Sequence, residues 1–213
     1  MTRSPIKALA VALALATGTL AMAAARPSPA AAALSDPAAK QIRAFYDALL
    51  DSMKHAKALG VQGRYKKLQP TIDATFDFAT MTERTVGPGW QQIPDADRKL
   101  LIDAFRRMTI ADYAHNFDGY EGEAFDVDPA VKERAGDKVV STKMTLPGKA
   151  PIPFLYRMDN VGGRWKIVDV FLNGYVSQVA TRRADFASTL KNGGARALAA
   201  KLNALTEKTL KGQ

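Results

Sequence analysis

The stretch VDVFLNGYVSQVATRRADF, residues 168–186, has the pattern of a strand, a tight turn and a helix in succession. The Asn173-Gly174 pair supplies the turn. When the strand is continued backwards to Arg164, apolar residues occupy alternate positions on both sides: Trp165, Ile167 and Phe171 against Val168, Val170 and Leu172. Because such a strand cannot lie in a sheet that has one face in water, the stretch predicts a sheet covered by helices.

Upstream of this stretch the apolar pattern alternates from residue 123 onwards, which predicts further strands. The four predicted strands are Glu123–Lys132, Lys138–Leu146, Ile152–Asp159 and Arg164–Leu172. The segments between them contain glycine, as in 135–137, 147–149 and 160–163. Connections this short join antiparallel neighbours, so the strands are predicted to form an antiparallel meander.

Helical spacing is found on both sides of the predicted meander. The predicted helices run from Asp36 to Gly60, over one or two short segments within 71–87, from Pro94 to about 118, over Tyr175–Lys191, and from Ala195 to about Leu210. A linker with Gly63 and Pro70 is predicted after the first helix. This order indicates an α+β domain with a four-stranded antiparallel sheet of the NTF2-like, cone-shaped kind.

The long helix after Pro94 is predicted to contact apolar material on two sides. One stripe contains Leu101, Ala104, Phe105 and Met108, and a second set lies well round the helix, at Ile102, Tyr113 and Phe117. A helix with one buried face needs only the first set. The pattern by itself fits either a thick core or a cavity wall.

The N-terminus has the features of a secretory signal peptide. Arg3 and Lys7 precede an uncharged run rich in Ala and Leu, followed by small-residue triplets. We therefore expect residues 1–23 to be a signal peptide cleaved somewhere in 23–33, residues 24–35 to be a flexible lead-in, and residues 36–213 to be one domain. An uncleaved N-terminal anchor is the alternative.

Composition narrows the classes of function. The chain of 213 residues contains no cysteine, which excludes disulfides, thiol catalysis and zinc-thiolate sites. Its formal net charge of +9 falls to +7 when Arg3 and Lys7 are removed. For an exported protein, a positive net charge indicates that the binding partner is an anionic lipid headgroup, a membrane surface or an acidic protein rather than nucleic acid. A merely solvated basic surface remains the alternative.

Catalytic and metal sites have weak support in the sequence. Asp112 and His115 are three residues apart on a predicted helix and could form an acid–base pair. His55 lies on the polar side of the first helix and is predicted to be at the surface. No metal-ligand set, phosphate-binding loop or cofactor motif is present, so no cofactor is predicted.

Three stretches resemble the MlaC family of periplasmic phospholipid-binding proteins, which is related to toluene-tolerance transport systems. They are FDFATMTERTVGPGW at 76–90, FRRMTIADYAHNFDGYEGEAFDV at 105–127 and WKIVDVFLNGYVSQVATRRADFASTLKNGGARALAAKL at 165–202. Within the second, the pattern TIAxYxxNFDGY resembles more closely the hopanoid-associated branch called HpnM. Together these stretches cover most of the predicted mature chain.

The resemblance implies a periplasmic carrier without enzymatic activity. Members of the family hold lipid tails in an apolar cavity between sheet and helices, and exchange cargo with membrane-anchored partners at the inner and outer membranes. For this chain the resemblance implies a phospholipid or hopanoid ligand, and we expect a monomer that binds no nucleic acid. The side chains predicted to contact lipid, chosen by their side on helix and strands, are Phe105, Met108, Tyr113, Phe117, Phe154, Tyr156, Trp165 and Val170.

Two other functions remain open at this point. One is an NTF2-like enzyme that uses Asp112 and His115. The other is a cavity-free adaptor protein of the cell envelope, held at a membrane by its basic surface. A cavity within the domain distinguishes a carrier from such an adaptor, because apolar periodicity is the same for a filled and a hollow interior.

Overall fold

The computed structural model describes residues 34–212. The predicted signal peptide and its cleavage region lie outside the described residues. Within them, the helices are α1 (Pro37–Lys54), α2 (Ala56–Thr75), α3 (Phe78–Val86), α4 (Asp95–Asn116) and α5 (Gln178–Leu210), with a 3₁₀ helix over Gly87–Gln92. The strands are β1 (Ala124–Val127), β2 (Lys132–Arg134), β3 (Asp137–Thr145), β4 (Ile152–Val161), β5 (Arg164–Leu172) and β6 (Val176–Ser177).

The α+β class with an antiparallel sheet is confirmed, but the sheet has six strands where four were predicted. Its order is β1-β3-β4-β5-β6, and β2 pairs with β3 beside β1. The first predicted strand is split into β1 and β2 around Pro129, which has no N–H to donate to a ladder. Beyond β5, Asn173 and Gly174 adopt φ of 54° and 78° and form the tight turn that leads back into β6.

The linker predicted after Gly60 is helical. Gly60 interrupts α2 with φ 58° and ψ 179°, a conformation that glycine adopts readily, and the helix continues beyond it to Thr75. Arg64 stabilises this segment, because its buried guanidinium donates from Nε to the Ala114 carbonyl at 2.7 Å and from Nη1 to the Ala56 carbonyl at 2.9 Å. The basic side chain therefore joins α2 to the last turn of α4.

A β-bulge explains why β5 appears apolar on both sides. In the register with β4, Arg157 lies opposite Asp169 and Met158 lies opposite Ile167, so Val168 is an extra residue. The bulge places Ile167 and Val170 on the same face of the sheet, although the sequence pattern had assigned them to opposite faces. β5 therefore contributes one continuous apolar face, and the helices pack against it.

On the opposite face of β5, Asp169 is buried although it is charged, because its carboxylate is hydrogen-bonded to the start of α5. Its carboxylate accepts hydrogen bonds from Ser177 Oγ at 2.6 Å and from the Val179 N–H at 3.1 Å. Ser177 is the N-cap of α5 and accepts from the Ala180 N–H. Asp169 thus fixes where α5 leaves the sheet. The predicted break in the C-terminal helices is present within α5 at Gly194, which has φ 70° and ψ −167°.

The N-terminus of α1 is held to the sheet by an ion pair. Asp36 is the N-cap, accepting from the Ala38 N–H at 2.8 Å, and its other oxygen accepts from Lys138 Nζ at 2.5 Å. Burial raises the pKa of Asp36, but Lys138 and the capping N–H groups outweigh it, so the pKa lies below the ordinary 3.8. The ionised carboxylate is therefore favoured by folding.

We expect Asp36→Asn to lower the free energy of unfolding by about 1 kcal/mol at neutral pH, because it removes the ion pair and leaves an oxygen for the cap. Since the folded pKa is depressed, this stabilisation is present above pH 3.8 and is lost as pH falls through the folded pKa. Urea denaturation of both proteins at neutral and acidic pH measures the difference. Asp95→Asn, on the exposed Asp95–Arg98 pair, is the control. Equal stability of wild type and Asp36→Asn at neutral pH would contradict the prediction.

Candidate functional site

A cavity of about 200 Å³ lies between the apolar face of the sheet and the helices. Its size exceeds that of apolar cavities of roughly 150 Å³ that stay dry and take up small hydrocarbons. The apolar and aromatic side chains that line it are Tyr46, Leu49, Phe76, Met81, Phe105, Tyr113, Phe117, Phe125, Phe154, Tyr156, Val170, Leu172 and Val179. The interior of the described domain is therefore partly hollow and apolar.

Tyr46 of α1 and two residues of the sheet, Phe125 and Tyr156, form a buried part of the lining that we call the floor. The Tyr46 hydroxyl donates to Tyr156 Oη at 2.8 Å and lies 2.7 Å from Thr142 Oγ1. The Tyr46 ring stacks on Phe125, with ring centroids 4.3 Å apart. The polar atoms at the floor thus bond to one another, as buried polar groups must.

These floor residues are uncharged. Burial raises the pKa of Tyr46 to about 12, against the opposing effect of its hydrogen bonds to Thr142 and Tyr156. Burial also raises the pKa of Tyr156 well above its ordinary value. Both phenols therefore stay protonated at neutral pH, so the floor presents aromatic surface without charge.

Helix α4 forms one wall of the cavity. The cavity is lined by Phe105 and Tyr113 of this helix and by its C-cap residue, Phe117. The rings of Tyr113 and Phe117 stack with their centroids 5.7 Å apart. Met108 is buried but is not part of the lining. It lies about 60° round the helix from Phe105, on the side away from Tyr113. The prediction of two apolar sides on this helix is confirmed, and the cavity wall takes Phe105 from the first stripe and Tyr113 and Phe117 from the second set.

The structure places six of the eight predicted contact residues on the lining and two away from it. The six are Phe105, Tyr113, Phe117, Phe154, Tyr156 and Val170. Met108 belongs to the packed core, for the reason just given. Trp165 lies about 16 Å from Val170 along β5, where Lys138 Nζ sits 4.7 Å from the centre of its ring. Periodicity had placed Trp165 and Val170 on opposite faces of β5, and it did not indicate the distance between them along the strand.

Several lining residues were missed by the sequence analysis. Tyr46 and Leu49 on α1, Phe76 at the end of α2, and Phe125 on β1 all lie on the cavity. Leu49 was recognised as part of the apolar stripe of the first helix, but the stripe does not indicate whether it faces a void or other side chains. Tyr46 is adjacent to that stripe. Its hydrogen bond with Tyr156 joins residues 110 positions apart, so no local pattern in the sequence indicates it.

Polar side chains on two helices border the open end of the cavity, which we call the mouth. They are Thr109, Asp112 and Asn116 on α4, and Gln178 and Arg182 on α5. Asn116 and Leu172, which both line the cavity, are exposed to solvent, whereas the floor is buried. The cavity is therefore closed by aromatic groups at one end and polar at the other.

Asp112 and Arg182 form an ion pair across the mouth. Arg182 Nη2 donates to Asp112 Oδ2 at 2.7 Å, and about a third of each side chain is exposed, 32% for Asp112 and 33% for Arg182. Burial raises the pKa of Asp112 above its ordinary value, although the charges of Arg182 and His115 oppose this. The pair joins α4 to α5.

The acid–base pair suggested by sequence spacing is not assembled. No hydrogen bond joins Asp112 to His115, both of which are within the described residues; Asp112 bonds to Arg182, and the His115 side chain is exposed. Among residues 34–212, no cluster of three or more His, Asp or Glu side chains could hold a metal ion. Of the helices in this range, none combines the length and the apolar character needed to cross a membrane.

Comparison with known proteins identifies the family. The family model described as MlaC protein matches residues 43–204. The chain belongs to the MlaC family. Among curated relatives of this MlaC-family chain, the toluene tolerance protein Ttg2D of Pseudomonas putida is 26% identical over 151 residues. This alignment covers 71% of the present chain and 61% of Ttg2D, so the match spans less than two thirds of that relative.

A solved structure shares the fold of this MlaC-family protein. It is a phospholipid-binding protein from Ralstonia solanacearum, determined in complex with a phospholipid. The TM-score is 0.71 at 20% sequence identity, and the superposition covers 82% of this chain and 99% of the other. The similarity confirms the arrangement of an open antiparallel sheet with several helices.

Proposed function

We propose that this MlaC-family protein is a carrier that shelters the hydrocarbon of a membrane lipid in its cavity. The observation that carries the proposal is the cavity itself, which is aromatic and uncharged at its floor and polar at its mouth. An amphiphile fits this gradient, with its hydrocarbon at the floor and its headgroup at the mouth. The Ralstonia protein of the same fold, solved with a phospholipid, supports the assignment.

The energetics are consistent with a carrier. Exposing hydrocarbon to water costs about 0.8 kcal/mol per CH₂, so a chain of about 16 carbons costs about 12 kcal/mol. A carrier between membranes must replace that water contact with apolar side chains. The six predicted contact residues that line the cavity are proposed to do so, together with Tyr46, Phe76 and Phe125. This role requires no catalytic group.

Phospholipid is the cargo that the mouth favours. The Asp112–Arg182 pair offers charge to a headgroup, whereas a hopanoid needs little charge recognition at that point. The HpnM resemblance keeps a hopanoid as the alternative cargo. An adaptor protein with a filled core agrees less well with the structure, because a filled core would contain no cavity of this size.

The cellular setting is part of the same proposal. Residues 1–23 would direct export and be removed within 23–33, leaving residues 24–35 as a lead-in to one domain over 36–213. The carrier would work in the periplasm as a monomer, receiving and delivering lipid at membrane-anchored transport components of the inner and outer membranes.

Lipid extraction tests the proposal directly. The full chain is expressed with its own leader in a Gram-negative host that makes hopanoids, purified from the periplasm, and extracted with organic solvent for mass spectrometry. We expect a two-chain phospholipid, near one lipid per protein, and an N-terminus within 23–33. Recovery of a hopanoid in its place would change the cargo. A protein that carries no lipid, and takes none up from phospholipid or hopanoid vesicles, would overturn the carrier function.

A further inference from the structure

The ion pair at the mouth offers both signs of charge to one ligand. Asp112 on α4 and Arg182 on α5 lie 2.7 Å apart, and about a third of each side chain is exposed. The other polar side chains of the lining, Thr109, Asn116 and Gln178, are neutral. The mouth therefore carries no net formal charge, although it belongs to a chain with a formal net charge of +9.

Both members of the ion pair can form further hydrogen bonds with a ligand. A single bond, from Arg182 Nη2 to Asp112 Oδ2, joins the two groups. A guanidinium has further N–H donors that match phosphate oxygens, and a carboxylate accepts several hydrogen bonds. A ligand that approaches from solvent can thus bond to Arg182 without removing it from Asp112.

We propose that Asp112 and Arg182 together select lipids with a zwitterionic headgroup. This inference rests on the proposed carrier function and specifies its cargo. The lipid phosphate accepts hydrogen bonds from Arg182, and the headgroup ammonium donates to Asp112. A zwitterion satisfies both charges at once, so neither member of the pair is left uncompensated when the headgroup displaces water.

An anionic headgroup is disfavoured at the same mouth. Phosphatidylglycerol brings a phosphate for Arg182 but no cation for Asp112, so two negative groups share one guanidinium. Like charges held close together cost free energy, and selectivity follows from that repulsion as much as from attraction. The expected preference for phosphatidylethanolamine over phosphatidylglycerol is about twofold to fivefold, the range for a partly exposed charge pair.

A competition experiment tests the selection. Full-length wild type, stripped of lipid, is incubated with vesicles that contain equal amounts of phosphatidylethanolamine and phosphatidylglycerol with identical acyl chains. Retained lipid is counted by mass spectrometry. Asp112→Asn is expected to bring the ratio close to one, because the neutral amide no longer repels the anionic headgroup. Arg182→Gln is expected to lower retention of both lipids while phosphatidylethanolamine stays preferred.

A second ion pair between the same helices supplies the matched control. Arg107 on α4 donates to Glu207 on α5 at 2.9 Å, and neither residue lines the cavity. Glu207→Gln removes a charge of the same sign as Asp112→Asn and should keep the wild-type ratio. Equal retention of the two lipids by wild type, or an unchanged ratio in Asp112→Asn, overturns the inference and leaves the carrier function standing. Retention of neither lipid by wild type overturns the inference together with phospholipid as the cargo, and if hopanoid vesicles also load nothing it overturns the carrier function as well.

Discussion

Replacing Val170 with Trp is expected to abolish lipid loading at a small cost in stability. Val170 lies on β5 and lines the cavity, so the indole ring would occupy the space proposed for hydrocarbon. We expect the lipid that co-purifies to fall about tenfold or more, and the free energy of unfolding to change by less than about 1 kcal/mol, because the added volume enters a void. Mass spectrometry of the extracted lipid and urea denaturation measure the two effects.

Val168 on the same strand gives a closely matched control. It is fully buried, at 0% exposure, but it does not line the cavity. Val168→Trp must displace packed neighbours and is expected to cost about 1–3 kcal/mol or more. If Val170→Trp retained lipid at the wild-type level, the cavity would not be the lipid site. If both variants were destabilised equally, Val170 would lie in a filled core.

The largest loss of stability is expected for Tyr46→Ala. The Tyr46 side chain is 1% exposed, stacks on Phe125 and bonds to Tyr156. Truncation removes a large aromatic side chain from the junction of α1 with the sheet, and substitutions of this kind cost about 3–5 kcal/mol. Urea denaturation at neutral pH, compared with wild type, measures the change.

Tyr46→Phe separates the packing of the ring from its hydrogen bonds. It keeps the stacking on Phe125 but leaves the hydroxyls of Thr142 and Tyr156 without their partner. The expected cost is about 1–3 kcal/mol, below that of Tyr46→Ala. A Tyr46→Ala protein within about 1 kcal/mol of wild type would show that the floor does not hold α1 on the sheet.

The predicted secondary structure agreed with the fold where local chemistry decides it. Asp36-Pro37 begins α1, Asn173-Gly174 turns β5 into β6, and Gly194 breaks α5, all within a few residues of their predicted positions. Capping, turn formation and φ preference act over four or five residues, so the sequence contains all the information they need. The linker predicted after Gly60 was wrong because Arg64 stabilises helix there through the distant Ala114 carbonyl.

The candidate site was predictable in part. Apolar periodicity indicated which sides of α4 are buried, and six of the eight predicted side chains line the cavity. It could not show that Met108 faces packed core or that Trp165 lies at the far end of its strand. Removing an apolar side chain from water is favourable whether its new neighbour is a side chain, a ligand or a void. The same apolar periodicity is therefore found in the sequence in all three cases.

By itself, the sequence determined the succession of N-terminal helices, an antiparallel meander and a C-terminal helical segment, and an interior stabilised without disulfides. Tertiary structure alone decided that Val168 bulges, that Tyr46 meets Tyr156, and that Arg182 meets Asp112 across 70 residues of chain. The reason is physical: local preferences fix the conformation of each segment, whereas a contact between distant segments depends on their register and packing together. The cavity and its charged mouth are products of those distant contacts.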